Sequence, residues 1–351
     1  MATTTTSSVP ATPSEIATTR EASSLSISPA PITIMRHYIG VDIGGTSVKC
    51  GVVSSEGVLL SRSQRKIEDD RSSDVVVGLC IAIVKECVEE AGISWSHIAG
   101  LGVGCPGQAS NGVLVAAANF ETWKDVALER LLNESLHIPC TLVNDADAAV
   151  AAEHWVGTAS KVKNFIMLTL GTGIGFGVVN DNAILAGGTG MIEGGHVIVV
   201  PNGRACGCTQ KGCLERYSSA TALIQQAKLK ATDKSLNTKL SDLKIDEITA
   251  KQVFETAATG DSVAKELIAE AADYLGFACV NFCRILDPEL IVLSGGLAEN
   301  GEYFIQAIRD AYTKYTWTKL PNPVRIEKAS VGYDSGIIGA AAFAFKKKAE
   351  V

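Results

Sequence analysis

Two stretches of the chain read as copies of one unit. Residues 38–53 run YIGVDIGGTSVKCGVV, and residues 165–179 run FIMLTLGTGIGFGVV. In each, a β-type run ends in a glycine-rich turn and feeds a second run that closes on Gly-Val-Val. Aliphatic, β-branched runs bounded by glycine read as strands, and self-similarity of this kind points to internal duplication. The chain therefore reads as two related α/β lobes, each presenting a glycine turn.

Working outward, strands are expected at Tyr38–Asp42, Lys49–Val53 and Val58–Ser63, followed by an apolar helix over Ser73–Glu90 and a buried strand over Ile98–Gly104. A helix over Asp125–Leu136, a strand over Thr141–Asn144 and a helix over Ala148–His154 complete the first half. After the second copy come a hairpin through Asp181-Asn182, a strand at His196–Val200 and helices near Leu214–Lys230 and Ala250–Ala258, with an exposed connection at Ala231–Lys244 between those helices. A long helix over Ser262–Leu286 leads to a strand at Leu290–Ser294, which ends on Gly295-Gly296. A strand at Val324–Ala329 and an Ala-rich helix from Ser335 close the chain. Residues 1–35 are rich in Ser, Thr and Pro and read as a disordered leader. That leader has no apolar signal core, and Glu15 and Glu21 against Arg20 speak against an organellar transit peptide.

At 351 residues the chain can bury substantial cores without disulfides. A net charge of −7 gives no basic footprint for nucleic acid, and no run approaches eighteen uninterrupted apolar residues, which argues against a membrane span. The 33 glycines and ten cysteines are the unusual counts, and both bear on chemistry.

The turns Asp42-Ile43-Gly44-Gly45-Thr46 and Gly171-Thr172-Gly173-Ile174-Gly175 place small residues where a strand reverses, so that successive backbone N–H groups can face one phosphate. Taken singly, each turn is explained by positive φ alone. Two in a duplicated chain favour a nucleotide held between lobes. Neither matches the single phosphate loop or the dinucleotide fingerprint, which disfavours a Rossmann dehydrogenase. His196, Cys206, Cys208 and Cys213 offer three thiolates and an imidazole, a full tetrahedral shell for a structural zinc ion; the alternative is three ordinary core cysteines. Glu193 and Glu215 bracket that segment, so a metal there would hold two carboxylates rigid enough to recognise vicinal hydroxyls, although each alone reads as a solvated surface acid. Asp145 closes a strand and opens a helix, where it reads equally as an N-cap or as a base accepting the proton of an attacking hydroxyl.

The order Asp-x-Gly-Gly-Thr, Pro-Gly, Asn-Asp-Ala, Gly-Thr-Gly-x-Gly, Glu-x-x-His, Cys-x-Cys-x4-Cys-x-Glu and Ser-Gly-Gly resembles the ROK family of sugar kinases and repressors, over residues 38 to 345. The resemblance implies a two-lobed actin/hexokinase-type (ribonuclease H-like) ATPase fold, with a small lobe from residues 36–143 and 335–351 and a large lobe, carrying the zinc loop, from 144–334. It implies ATP with Mg²⁺, and Asp145 as catalytic base. Asn119, Asn144, Asp145, Glu193, His196 and Glu215 would contact the sugar, with His196 also on the zinc. Gly44, Gly45, Thr46 and Lys49 would face phosphate together with Gly171, Thr172 and Gly173. Gly295 and Gly296 would face the adenosine, and Asp42 would sit near Mg²⁺.

Glucose is the leading acceptor under this resemblance, and N-acetylmannosamine or N-acetylglucosamine the alternative; a sugar-responsive repressor is disfavoured because no basic helix-turn-helix precedes His37. A homodimer is expected by family analogy, with neither nucleic acid nor membrane as partner. The sequence departs from the family pattern at Thr209 and Ile192, where glycine is usual, at Gly195, and at Asp147, where asparagine is frequent. The expectation for Thr209 is a turn conformation that a Cβ tolerates or a slightly different bend. The remaining cysteines, Cys50, Cys80, Cys87, Cys105, Cys140, Cys279 and Cys283, fall in apolar strands and helices, which points to a reducing, cytoplasmic setting.

Overall fold

The computed structural model describes residues 35–117, 120, 122–187, 192–317 and 324–349, which lie within one compact unit. The expected leader and Asn119 lie outside the described residues. The chain begins with strands β1 (His37–Ile43), β2 (Ser47–Ser54) and β3 (Leu59–Lys66), then helix α1 (Ser73–Glu90) and strand β4 (Ile98–Cys105). Short strands β5 (Gln108–Ser110), β6 (Val113–Ala116) and β7 (Lys124–Val126) precede α2 (Leu128–Leu136), β8 (Cys140–Asn144) and α3 (Asp145–Trp155). The second half opens with β9 (Phe165–Leu170), β10 (Ile174–Asn180) and β11 (Ala183–Ile184). It continues through α4 (Glu215–Ser218), α5 (Ala220–Thr232), α6 (Ala250–Ala258), α7 (Ser262–Leu286), β12 (Leu290–Ser294), α8 (Glu302–Tyr315), β13 (Arg325–Lys328) and α9 (Ser335–Ala349).

The duplication is visible in the topology. One sheet has the order β3-β2-β1-β4-β8 and the other β11-β10-β9-β12-β13. Both place an antiparallel hairpin beside two parallel strands. β4 is buried at all eight positions, as its unbroken apolar and glycine sequence requires of a central parallel strand.

Two helices cross from one half to the other. α3 leaves the first sheet and packs Val150 against Gly177 of β10 in the second. α9 leaves the second sheet and lies on the first, so close that a Cβ at Gly102 would fall 1.7 Å from the Ala340 carbonyl oxygen. The two helices meet where a Cβ on Gly339 would fall 1.6 Å from the Ala148 oxygen. Only glycine permits backbones that close.

Local differences from the sequence reading have physical causes. The strand expected at His196–Val200 does not form: Gly194–His196 is a 3₁₀ turn, and the amides of Val199 and Val200 both reach the Gly212 carbonyl instead of a ladder. The helix expected from Leu214 to Lys230 breaks at Ser219, whose side chain caps α5 through Ala222 N–H. The helix expected from Asp125 starts at Leu128, after β7. The connection Ala231–Lys244 is only partly exposed, because Leu240 is fully buried and Thr238 bonds the buried Asp261.

Candidate active site

At the end of β8 the chain turns directly into α3. Asn144 caps the helix, its Oδ1 accepting from Ala146 N–H at 2.8 Å, while its Nδ2 donates to the Gly107 carbonyl at 3.0 Å. Capping therefore belongs to Asn144. Asp145 is the first helical residue and also accepts from Ala146 N–H, at 2.9 Å, leaving most of its carboxylate's acceptor capacity free. Its side chain opens onto a cleft, yet the protein massed around it withdraws enough water to raise its pKa, and the negative charge of Asp42 adds to the rise. Burial likewise raises Asp147, followed by the charges of Asp145 and Glu193.

The cleft has a volume of about 340 Å³ and brings together Asp145, Gly171, Thr172, Gly173, Glu193, His196 and Glu215. Ala146, Ala149, Thr169, Ile174 and Gly175 complete its lining. Thr169 was not singled out from sequence, although the echo of residues 38–53 contained the signal: it stands where the first copy has Asp42. The second glycine turn is tied down by its neighbours. Gly171 O accepts from Ala220 N–H at 2.9 Å, Thr172 O from the Thr221 hydroxyl at 2.7 Å, and Ile174 N–H donates to Glu215 Oε2 at 3.0 Å. Glu215 lies so near that a Cβ on Gly173 would meet its Oε2 at 2.3 Å. Gly195 is equally confined, since its Cβ would meet the Ile174 carbonyl oxygen at 2.2 Å, so this departure from the family pattern packs against β10.

Of the other expected residues that the structure describes, none belongs to this lining. Gly44, Gly45 and Thr46 form the turn between β1 and β2, and Asp42 pairs with Lys49 at 3.3 Å across that hairpin. Gly295 follows β12 with φ +85°, seated against Leu170 at the end of β9, while a Cβ on Gly296 would meet nothing within 4 Å. Asn144 spends its amide on the helix and on Gly107.

Beyond Glu193, the ligand atoms of His196, Cys206, Cys208 and Cys213 lie within 4.8 Å of one another. His196 Nδ1 is 3.6 Å from Cys206 Sγ, and Cys208 Sγ is 3.6 Å from Cys213 Sγ. Zinc–sulfur bonds of about 2.3 Å place the corners of a tetrahedral shell roughly 3.5–3.8 Å apart, so the donor set fits that ion. Thr209, between two of these cysteines, has φ +75°. Of the two expectations, a conformation that a Cβ readily tolerates is not the one found: the turn holds a β-branched residue in the left-handed region. The seven other cysteines are buried, and burial pushes the thiols of Cys105 and Cys140 up to about 12.

Comparison with known proteins places this geometry. The ROK family pattern matches residues 38–347. A glucokinase of Halalkalibacterium halodurans is 33% identical over 314 residues, covering 87% of this chain and 93% of the relative. A xylose repressor of Caldicellulosiruptor bescii is 25% identical, covering 87% of this chain and 77% of the repressor. The crystal structure of a ROK family glucokinase from Streptomyces griseus in complex with glucose and AMPPNP is 30% identical with a TM-score of 0.74, covering 88% of this chain and 99% of that one. The chain belongs to the ROK family and has the actin/hexokinase-type α/β fold of its sugar kinases.

Proposed function

We propose that the protein is an ATP-dependent sugar kinase that phosphorylates a hexose hydroxyl, with glucose as the leading acceptor. One observation carries this reading: Asp145, with Asn144 serving as the cap of α3, opens onto a cleft that the second glycine turn, Glu193, His196 and Glu215 line together. In phosphoryl transfer the protein supplies mainly position and charge neutralisation. Asp145 accepts the proton of the attacking hydroxyl as its oxygen bonds the γ-phosphorus, while the bond from that phosphorus to the β,γ-bridging oxygen breaks and ADP leaves. Glu193, Glu215 and His196 hold neighbouring hydroxyls, and the amides of the two glycine turns receive phosphate oxygens. The acids Asp42, Asp145 and Glu193 concentrate negative charge that Mg²⁺, arriving with ATP, would offset. We read the two sheets as two lobes, residues 36–143 with 335–351 and residues 144–334.

His196, Cys206, Cys208 and Cys213 would hold a zinc ion, whose contribution when bound is structural because four protein donors leave no open position. Its effect on the site runs through Glu215, two residues after Cys213, which in turn bonds Ile174 at the glycine turn. The deciding experiment is a coupled ADP-release assay over hexoses and N-acetylhexosamines with ATP and Mg²⁺. Glucose should raise ADP release most. If no sugar raises it above background for the folded, metal-loaded protein, the kinase reading fails.

A further inference from the structure

We propose that Tyr333 is a positioning residue for the phosphoryl donor, holding the Lys49 ammonium beside Asp42 at the first glycine turn. The proposal rests on the kinase reading above and adds to it a residue from the far end of the chain. Lys49 stands directly opposite Asp42 in the β1–β2 ladder, and its Nζ lies 3.3 Å from Asp42 Oδ2. An ammonium on a flexible four-carbon stem is poorly fixed by one such contact. Here the same Nζ lies 4.0 Å from the centroid of the Tyr333 ring, within the range of cation–π attraction.

Tyr333 is itself held from several directions, although its side chain is 60% exposed. Its hydroxyl donates to Gln64 Oε1 at 3.0 Å, and Gln64 Nε2 donates to Ser47 Oγ at 3.1 Å, at the start of β2. The Arg62 guanidinium also lies over the ring, 4.8 Å from its centroid, and Arg62 Nε pairs with the next residue, Asp334, at 2.7 Å. These partners come from the β2–β3 hairpin, whereas Tyr333 belongs to the short turn Gly332–Asp334 that brings the chain out of the second sheet into α9. At the next step a Cβ on Gly336 would meet the Asp42 carboxylate at 2.6 Å, so the same segment touches both members of the Lys49–Asp42 pair. An aromatic floor supplied by one half of the molecule thus fixes a cation on the strand that leaves the first glycine turn of the other.

The test is nucleotide affinity, measured by calorimetry with Mg²⁺·AMPPNP on the full chain, alongside steady-state kinetics. Tyr333→Ala should weaken nucleotide binding and raise KM for ATP roughly two- to fivefold, the scale of an exposed cation–π contact, with KM for sugar unchanged. Tyr333→Phe keeps the ring and should stay near wild type. In a Lys49→Met background, Tyr333→Ala should have no further effect, because its action passes through the ammonium. Unchanged nucleotide affinity in Tyr333→Ala, or an equal loss with and without Lys49, overturns the proposal while leaving the kinase reading intact. A folded wild-type chain that binds no nucleotide overturns both.

Discussion

The two strand–turn–strand units have the same topology and opposite electrical character. The ladder position that sets Asp42 opposite Lys49 in the first sets Thr169 opposite Gly175 in the second. The first turn is fixed within its own sheet, with Thr46 O accepting from Ile67 N–H at 2.9 Å, and is flanked by charge. The second is fixed from outside, by Ala220, Thr221 and Glu215, and lines the cleft with small, neutral residues. Duplication preserved a backbone that presents amides, while the side chains diverged: one copy manages charge and the other makes room.

The largest effect should come from the carboxyl between these copies. Asp145→Asn keeps the shape but cannot accept a proton, and should lower kcat on the order of 10³-fold with sugar and nucleotide affinity retained. As a base Asp145 must be ionised, so activity falls as pH drops through its pKa. Burial, and after it the charge of Asp42, raises that pKa, which moves the acid limb upward from where an ordinary aspartate would set it. Asp42→Asn removes one cause of the rise and should move the limb to lower pH, whereas Thr169→Ser, at the equivalent place in the neutral copy, should leave it in place. Identical pH profiles for the two variants would break the electrical distinction.

Next in size is a contrast between glycines. At Gly173 a methyl group would have to displace the Glu215 carboxylate, whereas at Gly44 it would meet only the Ser47 carbonyl oxygen, at 3.3 Å. Misplacing a substrate-positioning group by an ångström can cost about 10²-fold, and that loss in kcat/KM is expected for Gly173→Ala. Gly44→Ala should lose distinctly less, as steady-state kinetics on the two folded variants will show.

Stripping the metal should sharpen the contrast further. Because Glu215 follows Cys213 closely and bonds Ile174, chelation should loosen the second turn and leave the first as it was. Hydrogen exchange should quicken at the Ile174 and Ala220 amides but not at those of Gly44 or Ile67. Activity should fall roughly tenfold or more and return when zinc is restored. Equal quickening at both turns would mean that the Cys/His loop supports the whole molecule and not one copy.

What could be read from sequence follows from which interactions are local. The repeated strand–turn–strand pattern carried the two hairpins because the strands of each are contiguous, and the Cys-x-Cys-x4-Cys spacing carried the thiol cluster because one loop holds it. Which of Asn144 and Asp145 caps α3 was not legible, since it turns on the Asn144 side chain reaching Ala146 and Gly107. The strand expected at His196–Val200 failed because a carbonyl from Gly212, across the loop, claimed its amides. Tyr333 left no trace at all: its partners lie some 270 residues upstream, |i−j| = 269 for Gln64, and no period or spacing connects them.

The smallest effect concerns a residue of the second half alone. Thr209 is β-branched and has φ +75°, a conformation that costs L-residues roughly 1–2 kcal/mol. Its N–H donates to the Cys206 carbonyl at 3.1 Å, so the ligand loop itself imposes the backbone shape. Thr209→Gly removes the strain and gives back part of the gain through the greater freedom of glycine in the unfolded chain, leaving a net stabilisation of about 0.5–1 kcal/mol. In a chain of this size that is a rise in Tm of about 1 °C. Strain exists only while the loop is held in place, so the rise should appear in the zinc-loaded protein and vanish after chelation, when Thr209 is free to leave the left-handed region. Calorimetric melting of the two proteins, loaded and stripped, measures this directly. An equal rise in both states would show that the conformation is set by the surrounding fold and not by the four ligands.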